Sequence, residues 1–168
     1  NVVEGNFVGA TASGDAPLPN GYYGIPVDAY SSQNVIGGTA PGAGNTIAYN
    51  THDGVHIVAL AGEGNTIEGN SIFSNGDLGI DLEPGGPTPN DPGDADSGPN
   101  GLQNFPVLSD ASGDGTTLSI TGTLSSKPST VYRLEFFSNP SGDSSGFGEG
   151  QTFLGARTVA TDAGGQMG

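Results

Sequence analysis

The sequence predicts an all-β protein that begins as a short right-handed parallel β-helix of about three coils and ends as a partial antiparallel β-sandwich. A near-duplicated Asn- and Gly-rich phrase predicts the coils, and alternating apolar segments in the last third predict the sandwich. Glycine accounts for 31 of the 168 residues, and no apolar stretch keeps the 3.6-residue period of a helix. We expect coils over 1–83, a junction rich in Pro, Gly and Asp over 84–104, and an immunoglobulin-like sandwich, incomplete here, over 105–168.

Two copies of the phrase align with an offset of about one solenoid coil. GNTIAYNTHDGVHI at 44–57 matches GNTIEGNSIFSNGDLGIDL at 64–82. The alignment stacks the following residues: Asn45 on Asn70, Ile47 on Ile72, Asn50 on Asn75, Gly54 on Gly79, Val55 on Ile80 and Ile57 on Leu82. A looser copy of the pattern over 1–29 predicts the first coil.

Aliphatic side chains of successive coils should stack in the interior, because no single coil can bury its own apolar face. The predicted stacks are Val2 with Ile36 and Ile67, Val8 with Ile47 and Ile72, and the pairs Ile25/Val27, Val55/Ile57 and Ile80/Leu82. Asparagines at the corners predict hydrogen-bonded ladders between coils. Gly24, Gly54 and Gly79 precede the third strand, where a positive φ or a close backbone approach would require glycine.

The junction has the highest density of carboxylates in the chain. Asp91, Asp94, Asp96 and Asn100 offer hard oxygen ligands within one loop, and the segment DADSG resembles half of a calcium-binding loop. No acidic residue stands where an EF-hand supplies its bidentate Glu. A structural calcium site and a solvated acidic linker are both open interpretations.

Strand-like alternation returns at 105–109, 116–124, 130–138 and 152–160, between turn-rich segments. These strands are too few for a complete immunoglobulin-like sandwich, which needs about seven. We expect the sandwich to cover the last coil or to accept a strand from a neighbour. The chain has no initiator Met and starts inside a repeat, so we interpret it as an internal or processed piece.

The charge distribution excludes several partners. The formal net charge is −15, and the basic residues Lys127, Arg133 and Arg157 all lie in the last third. Nucleic acid and anionic membranes are therefore not expected partners. The chain has no apolar run of membrane-spanning length, so we do not expect membrane insertion. With no cysteine, it also has no disulfide and no thiolate metal site.

Four residues of the coils are candidates for catalysis or ligand binding. If Val55 and Ile57 point inward, His56 points outward, as does Asp81 one coil later, and a His beside carboxylates could serve glycoside hydrolysis. We interpret both instead as strand-face residues that meet solvent, because no basic residue near the coils could bind a uronate. Tyr22 and Tyr23 end the loop 10–23, where they offer either sugar-stacking faces or packing caps.

The phrases QNVIGGTAPGAGNTIAYNTHDGVHI and NDPGDADSGPNGLQNFPVL resemble the right-handed parallel β-helix repeat region of large secreted or surface-anchored bacterial proteins. The segment RLEFFSNPSGDSSGFGEGQTFLG resembles the strand-rich module that commonly follows such a region. The resemblance implies an extracellular or cell-surface location. It leaves function open, because the same β-helix carries polysaccharide lyases, glycosidases, phage tailspikes and adhesins.

We therefore expect an extracellular structural or adhesive protein without catalysis, such as a subunit of a fibre or surface layer. Its expected partners are copies of itself or adjoining domains of a longer chain, with glycans as candidate ligands and calcium as the candidate cofactor. The alternative is a polysaccharide-binding or polysaccharide-degrading β-helix protein.

Overall fold

The computed structural model describes residues 1–167, which form thirteen strands and one 3₁₀ helix, Pro99–Leu102. The first nine strands are short: β1 Val2–Val3, β2 Phe7–Val8, β3 Ile25–Val27, β4 Val35–Gly37, β5 Thr46–Ala48, β6 Val55–Ile57, β7 Thr66–Glu68, β8 Ser71–Phe73 and β9 Ile80–Leu82. The last four are longer: β10 Val107–Gly113, β11 Leu118–Thr123, β12 Val131–Ser138 and β13 Thr152–Ala160. Among residues 1–167, no helix is long and apolar enough to cross a membrane.

The nine short strands form a parallel β-helix of three coils. Every third strand pairs, which gives three parallel sheets in the orders β1-β4-β7, β2-β5-β8 and β3-β6-β9. The registers confirm the alignment of the repeated phrase, since Ile47 pairs with Ile72 and Val55 pairs with Ile80. Each coil therefore adds one strand to each sheet, as the sequence predicts.

Stacked aliphatic side chains fill the interior of the coils. The buried cluster consists of Val27, Ile36, Ile47, Val55, Ile57, Ala61 and Ile72. The predicted place of Val2 is wrong by one residue: Val3 pairs with Ile36, whereas Val2 pairs with Val35 and is 64% exposed. Val2 and Val3 are both apolar, so the alternation of apolar and polar residues does not show which of them points inward. In a strand, a shift of one residue moves every side chain to the opposite face of the sheet. Ile80 has its predicted register but stays 43% exposed.

Buried asparagine ladders join the coils, as predicted. The Nδ2 of Asn45 donates to the Oδ1 of Asn70 at 2.9 Å, and the Nδ2 of Asn50 donates to the Oδ1 of Asn75 at 2.8 Å. In the coil before, Asn6 donates to Asn45 at 3.0 Å and Asn20 donates to Asn50 at 2.9 Å. Each amide therefore has a partner although water is excluded from most of the ladder.

A third ladder, absent from the sequence-based prediction, runs through Asn1, Asn34, Asn65 and Asn100. Asn1 donates to Asn34 at 2.8 Å, Asn34 donates to Asn65 at 2.7 Å, and Asn65 donates to Asn100 at 3.3 Å. The sequence contains a signal for it, because Asn1, Asn34 and Asn65 each stand immediately before a strand of the first sheet.

Close backbone approach requires two of the three glycines that precede the third strand, Gly24 and Gly54. A Cβ atom on Gly24 would lie 2.4 Å from the carbonyl oxygen of Gly54, and one on Gly54 would lie 2.7 Å from that of Gly79. None of the three has a positive φ, so only the steric reason applies, and it does not extend to Gly79, where the nearest atom to such a Cβ lies 3.3 Å away.

One compact unit comprises the coils together with 98–100 and 135–156. Within this unit the last coil is covered, as expected. Gly150 exchanges two 2.9 Å backbone hydrogen bonds with Ile72, and Glu149 accepts a 2.8 Å hydrogen bond from the Nδ2 of Asn75. These contacts pair an otherwise open sheet edge and supply the last acceptor of one ladder.

The second compact unit comprises 88–97, 101–134 and the chain from Arg157 onward. Here β10 pairs antiparallel with β11, and Leu124 and Ser126 are fully buried. The strands β12 and β13 form a separate two-stranded sheet whose residues are divided between the two units. Parallel coils followed by two such sheets agree with the predicted fold class.

Replacing Asn50 tests the contribution of a ladder. The change Asn50→Ala leaves the Nδ2 of Asn20 without its acceptor and removes the side-chain donor to the Oδ1 of Asn75, which keeps only the backbone N–H of position 50 at 3.2 Å. We expect the free energy of unfolding to fall by about 2 kcal/mol. Urea unfolding monitored by circular dichroism measures the change. The matched control is Gln103→Ala, which removes an exposed amide. Equal values for the two variants would contradict a stabilising ladder.

Candidate functional site

An open pocket of about 540 Å³ on the coil unit brings together four sequence-predicted candidates. Tyr22, Tyr23, His56 and Asp81 all line it. His56 lies at the centre of β6, and Asp81 lies at the centre of β9 in direct register with it. The prediction that they lie one coil apart on the outward face of the sheet is confirmed.

The predicted exposure of these two side chains is wrong. His56 is 3% exposed and Asp81 is 4% exposed, so neither simply meets solvent. The ring of Tyr23 stacks on the imidazole of His56, with the ring centroids 3.8 Å apart and the planes 5° from parallel. Strand alternation gives the direction of His56 but does not show that the loop 10–23 places Tyr23 over it.

Three carboxylates surround the imidazole of His56. Its Nδ1 lies 2.9 Å from the Oδ2 of Asp53 and 3.6 Å from the Oδ2 of Asp81. Its Nε2 lies 3.3 Å from the Oε1 of Glu83. One imidazolium would therefore balance at most one of three negative charges in a largely desolvated position.

Backbone hydrogen bonds hold two of the three carboxylates in place. Leu78 donates its N–H to the Oδ1 of Asp53 at 2.8 Å, and Ala59 donates its N–H to the Oε2 of Glu83 at 2.7 Å. The bond from Ala59 holds the pKa of the Glu83 carboxyl below its ordinary value.

Asp81 has less support, because burial raises the pKa of its carboxyl by more than a backbone hydrogen bond from Gly86 lowers it. Its Oδ1 is buried without a hydrogen-bond partner. Burial raises the pKa of the Asp81 carboxyl, and the nearby charge of Asp53 raises it further. A buried acceptor with no donor costs free energy, so this atom indicates an incomplete site.

The mouth of the pocket is aromatic. Tyr22 is 59% exposed, and its ring centroid lies 4.2 Å from that of Tyr23 and 4.8 Å from that of His52. The hydrogen bond that Tyr23 donates to the Tyr22 hydroxyl raises the pKa of Tyr23 to about 12, so the phenol stays neutral. His52 also forms an exposed 2.7 Å pair with Asp77.

Two groups of side chains in the structure could hold a metal ion. One is Asp53, His56 and Asp81, and the other is Asp91, Asp94 and Asp96. In each group, one ligand atom from every residue lies within 4.8 Å of the others. The first offers nitrogen and oxygen, whereas the second offers oxygen alone.

The second group contains three of the four ligands predicted in the junction. Asp94 is buried and accepts hydrogen bonds from the N–H of Asn104 at 3.1 Å and the hydroxyl of Ser126 at 2.6 Å. The Oδ1 atoms of Asp91 and Asp96 are buried without partners. Burial, followed by the charges of Asp91 and Asp94, raises the pKa of the Asp96 carboxyl.

Asn100, the fourth predicted ligand, has a different role. Its side chain exchanges hydrogen bonds with Asn65, accepting from the backbone N–H at 3.0 Å and donating to the carbonyl oxygen at 2.7 Å. It therefore extends the third ladder.

Sequence reasoning missed Asp53 and the partnership of His52 with Asp77. The coil alignment contains a signal for the pair of His52 and Asp77, because the offset that stacks Asn50 on Asn75 also stacks His52 on Asp77. Asp53 gave a weaker signal: it stands three residues before His56, across the turn that enters β6.

No protein-family model matches the sequence, and no curated protein matches it. The function of the site is therefore inferred from its geometry and chemistry.

Proposed function

We propose that the protein is an extracellular, non-catalytic adhesive module that binds uncharged glycans in the pocket beside Tyr22 and Tyr23. The observation that carries the proposal is the pair of adjacent tyrosine rings at the mouth of an acidic pocket of about 540 Å³. An aromatic face packs well against the apolar face of a sugar ring, while carboxylates accept hydrogen bonds from sugar hydroxyls.

The charge of the pocket favours a neutral ligand. Among residues 1–167, no Lys or Arg lines it, whereas five carboxylates do: Asp53, Asp77, Asp81, Glu83 and Asp143. A polymer of uronic acids would meet like charges with no cation to offset them. Hydroxyl groups of a neutral sugar avoid this repulsion.

Burial of His56 and Asp81 argues against glycoside hydrolysis by these residues. A hydrolase needs a carboxylic acid and a second carboxylate that both reach the scissile bond. The free Oδ1 of Asp81 is occluded, and Tyr23 covers the ring of His56. Neither group can contact a polymer in this arrangement.

Sequence properties support an extracellular location. The net charge of −15 makes copies of the protein repel each other, which favours solubility. The chain also resembles the repeat regions of secreted or surface-anchored bacterial proteins. Hydrogen-bonded ladders along the coils stabilise the fold without disulfides.

Truncating Tyr22 tests the proposed glycan site. The change Tyr22→Ala removes the more exposed stacking face and should weaken binding of a neutral glycan about tenfold, the effect of about 1.4 kcal/mol. A glycan array with neutral and uronate polymers identifies the ligand, and isothermal titration calorimetry measures the dissociation constant.

The matched control is Tyr30→Ala, because Tyr30 is 85% exposed and does not line the pocket. It should leave glycan affinity unchanged. A preference for uronates, or the same loss in both variants, would contradict the proposed site.

We further propose that Asp91, Asp94 and Asp96 bind a structural calcium ion. An all-oxygen donor set suits Ca²⁺, and two buried carboxylate oxygens without partners would gain one. Lys127 attracts the negative charge of Asp96 and so competes in part with an ion. Unfolding with and without a chelator distinguishes a bound ion from neutralisation by Lys127 alone.

Calcium should stabilise the chain against unfolding. At a concentration 100 times the dissociation constant, bound Ca²⁺ would add about 2.7 kcal/mol to the free energy of unfolding. Thermal unfolding in Ca²⁺ and in a chelator measures this. Asp96→Asn should remove most of the difference, whereas Asp28→Asn, at an exposed carboxylate of the coils, should preserve it. Identical unfolding of the wild type in both conditions would exclude the site.

A further inference from the structure

The imidazole of His56 lies among three carboxylates, and among residues 1–167 no Lys or Arg lines the pocket around it. Each ring nitrogen of His56 faces a carboxylate: Nε2 lies 3.3 Å from Glu83, and Nδ1 lies 2.9 Å from Asp53 and 3.6 Å from Asp81. A neutral imidazole has one N–H, so with the proton on Nε2 its Nδ1 lone pair faces Asp53 and Asp81. Lone pairs of nitrogen and carboxylate oxygen repel each other at such distances unless a proton or a metal ion lies between them.

A proton on Nδ1 does not complete the site. An imidazolium would donate to Asp53 at 2.9 Å and to Glu83 at 3.3 Å, but the Oδ1 of Asp81 would still have no donor. A proton on that Oδ1 would equally find no acceptor. Because Asp81 is 4% exposed, solvent does not offset this deficit in full.

We propose that Asp53, His56 and Asp81 form a binding site for one divalent transition-metal ion of the Zn²⁺ class, with Glu83 as the positioning residue. A tetrahedral ion about 2.1 Å from each ligand holds those ligand atoms about 3.4 Å apart. The distances from His56 Nδ1 to the two Oδ2 atoms, 2.9 Å and 3.6 Å, bracket that value. Bidentate binding by Asp81 gives its Oδ1 the partner that a proton on Nδ1 does not supply. One further position is open to water from the pocket.

The donor set selects the class of ion. An imidazole nitrogen with two carboxylates suits Zn²⁺, Co²⁺ or Mn²⁺, whereas Ca²⁺ and Mg²⁺ prefer oxygen alone. Glu83 on the opposite nitrogen fixes the tautomer and the ring plane, as carboxylates commonly do for metal-bound histidines. The ion would also fix the ring on which Tyr23 stacks. This proposal is independent of glycan binding.

The experiment titrates Zn²⁺ into the full chain by calorimetry in saturating Ca²⁺, which occupies the all-oxygen group. We expect about one Zn²⁺ per chain. His56→Gln and Asp81→Asn should abolish binding, and Glu83→Gln should weaken it about tenfold to a hundredfold. The control is His52→Gln at the other histidine of the chain, which should leave the affinity unchanged.

A second readout uses the wild-type fold. Zn²⁺ should shift the NMR resonance of the Nδ1 of His56, and Co²⁺ should give the visible absorption of a nitrogen- and oxygen-bound ion. Wild-type protein that binds neither ion overturns the proposal. So does binding that is lost in His52→Gln and kept in Asp81→Asn. If the ligand variants fail to fold, the His56 resonance in the wild type and in His52→Gln decides.

Discussion

Hydrogen bonds between stacked asparagine side chains fix the register on which the rest of this structure depends. Three ladders run along the corners of the coils, and each buried amide donates to the amide of the coil that follows. A slip of one residue would break a ladder and would also turn the aliphatic side chains away from the core. The apolar interior and the polar corners therefore specify the same alignment of coils. When separate interactions favour one alignment in this way, the sequence specifies a single native structure.

The candidate site is a product of the same register. Stacking Asn50 on Asn75 also sets His56 beside Asp81 and His52 beside Asp77. Residues that are far apart along the chain thus become neighbours on one surface without a dedicated element to hold them. Tyr22 and Tyr23 come from an insertion in the first coil, and they give the acidic stripe an aromatic mouth.

Much of the fold was predictable because coil stacking is local and periodic. The pairing of Ile47 with Ile72 and of His56 with Asp81 follows from one sequence offset. Burial of His56 was not predictable, since it depends on how an irregular loop folds back over the sheet. The role of Asn100 was also missed, because composition groups it with nearby aspartates while the structure pairs it with Asn65. The linear domain boundaries and the assembly of copies stay predictions.

The ladder that ends at Glu149 has a direction. Each asparagine accepts from the coil before and donates to the coil after, so a growing stack always offers an amide hydrogen to the next turn. Glu149 accepts from Asn75 but, when ionised, has no hydrogen to pass on. The carboxylate of Glu149 therefore ends this row of hydrogen bonds. As a result, the two ends of the ladder differ: Asn20 lies at the end that donates, and an acceptor without a hydrogen lies at the other.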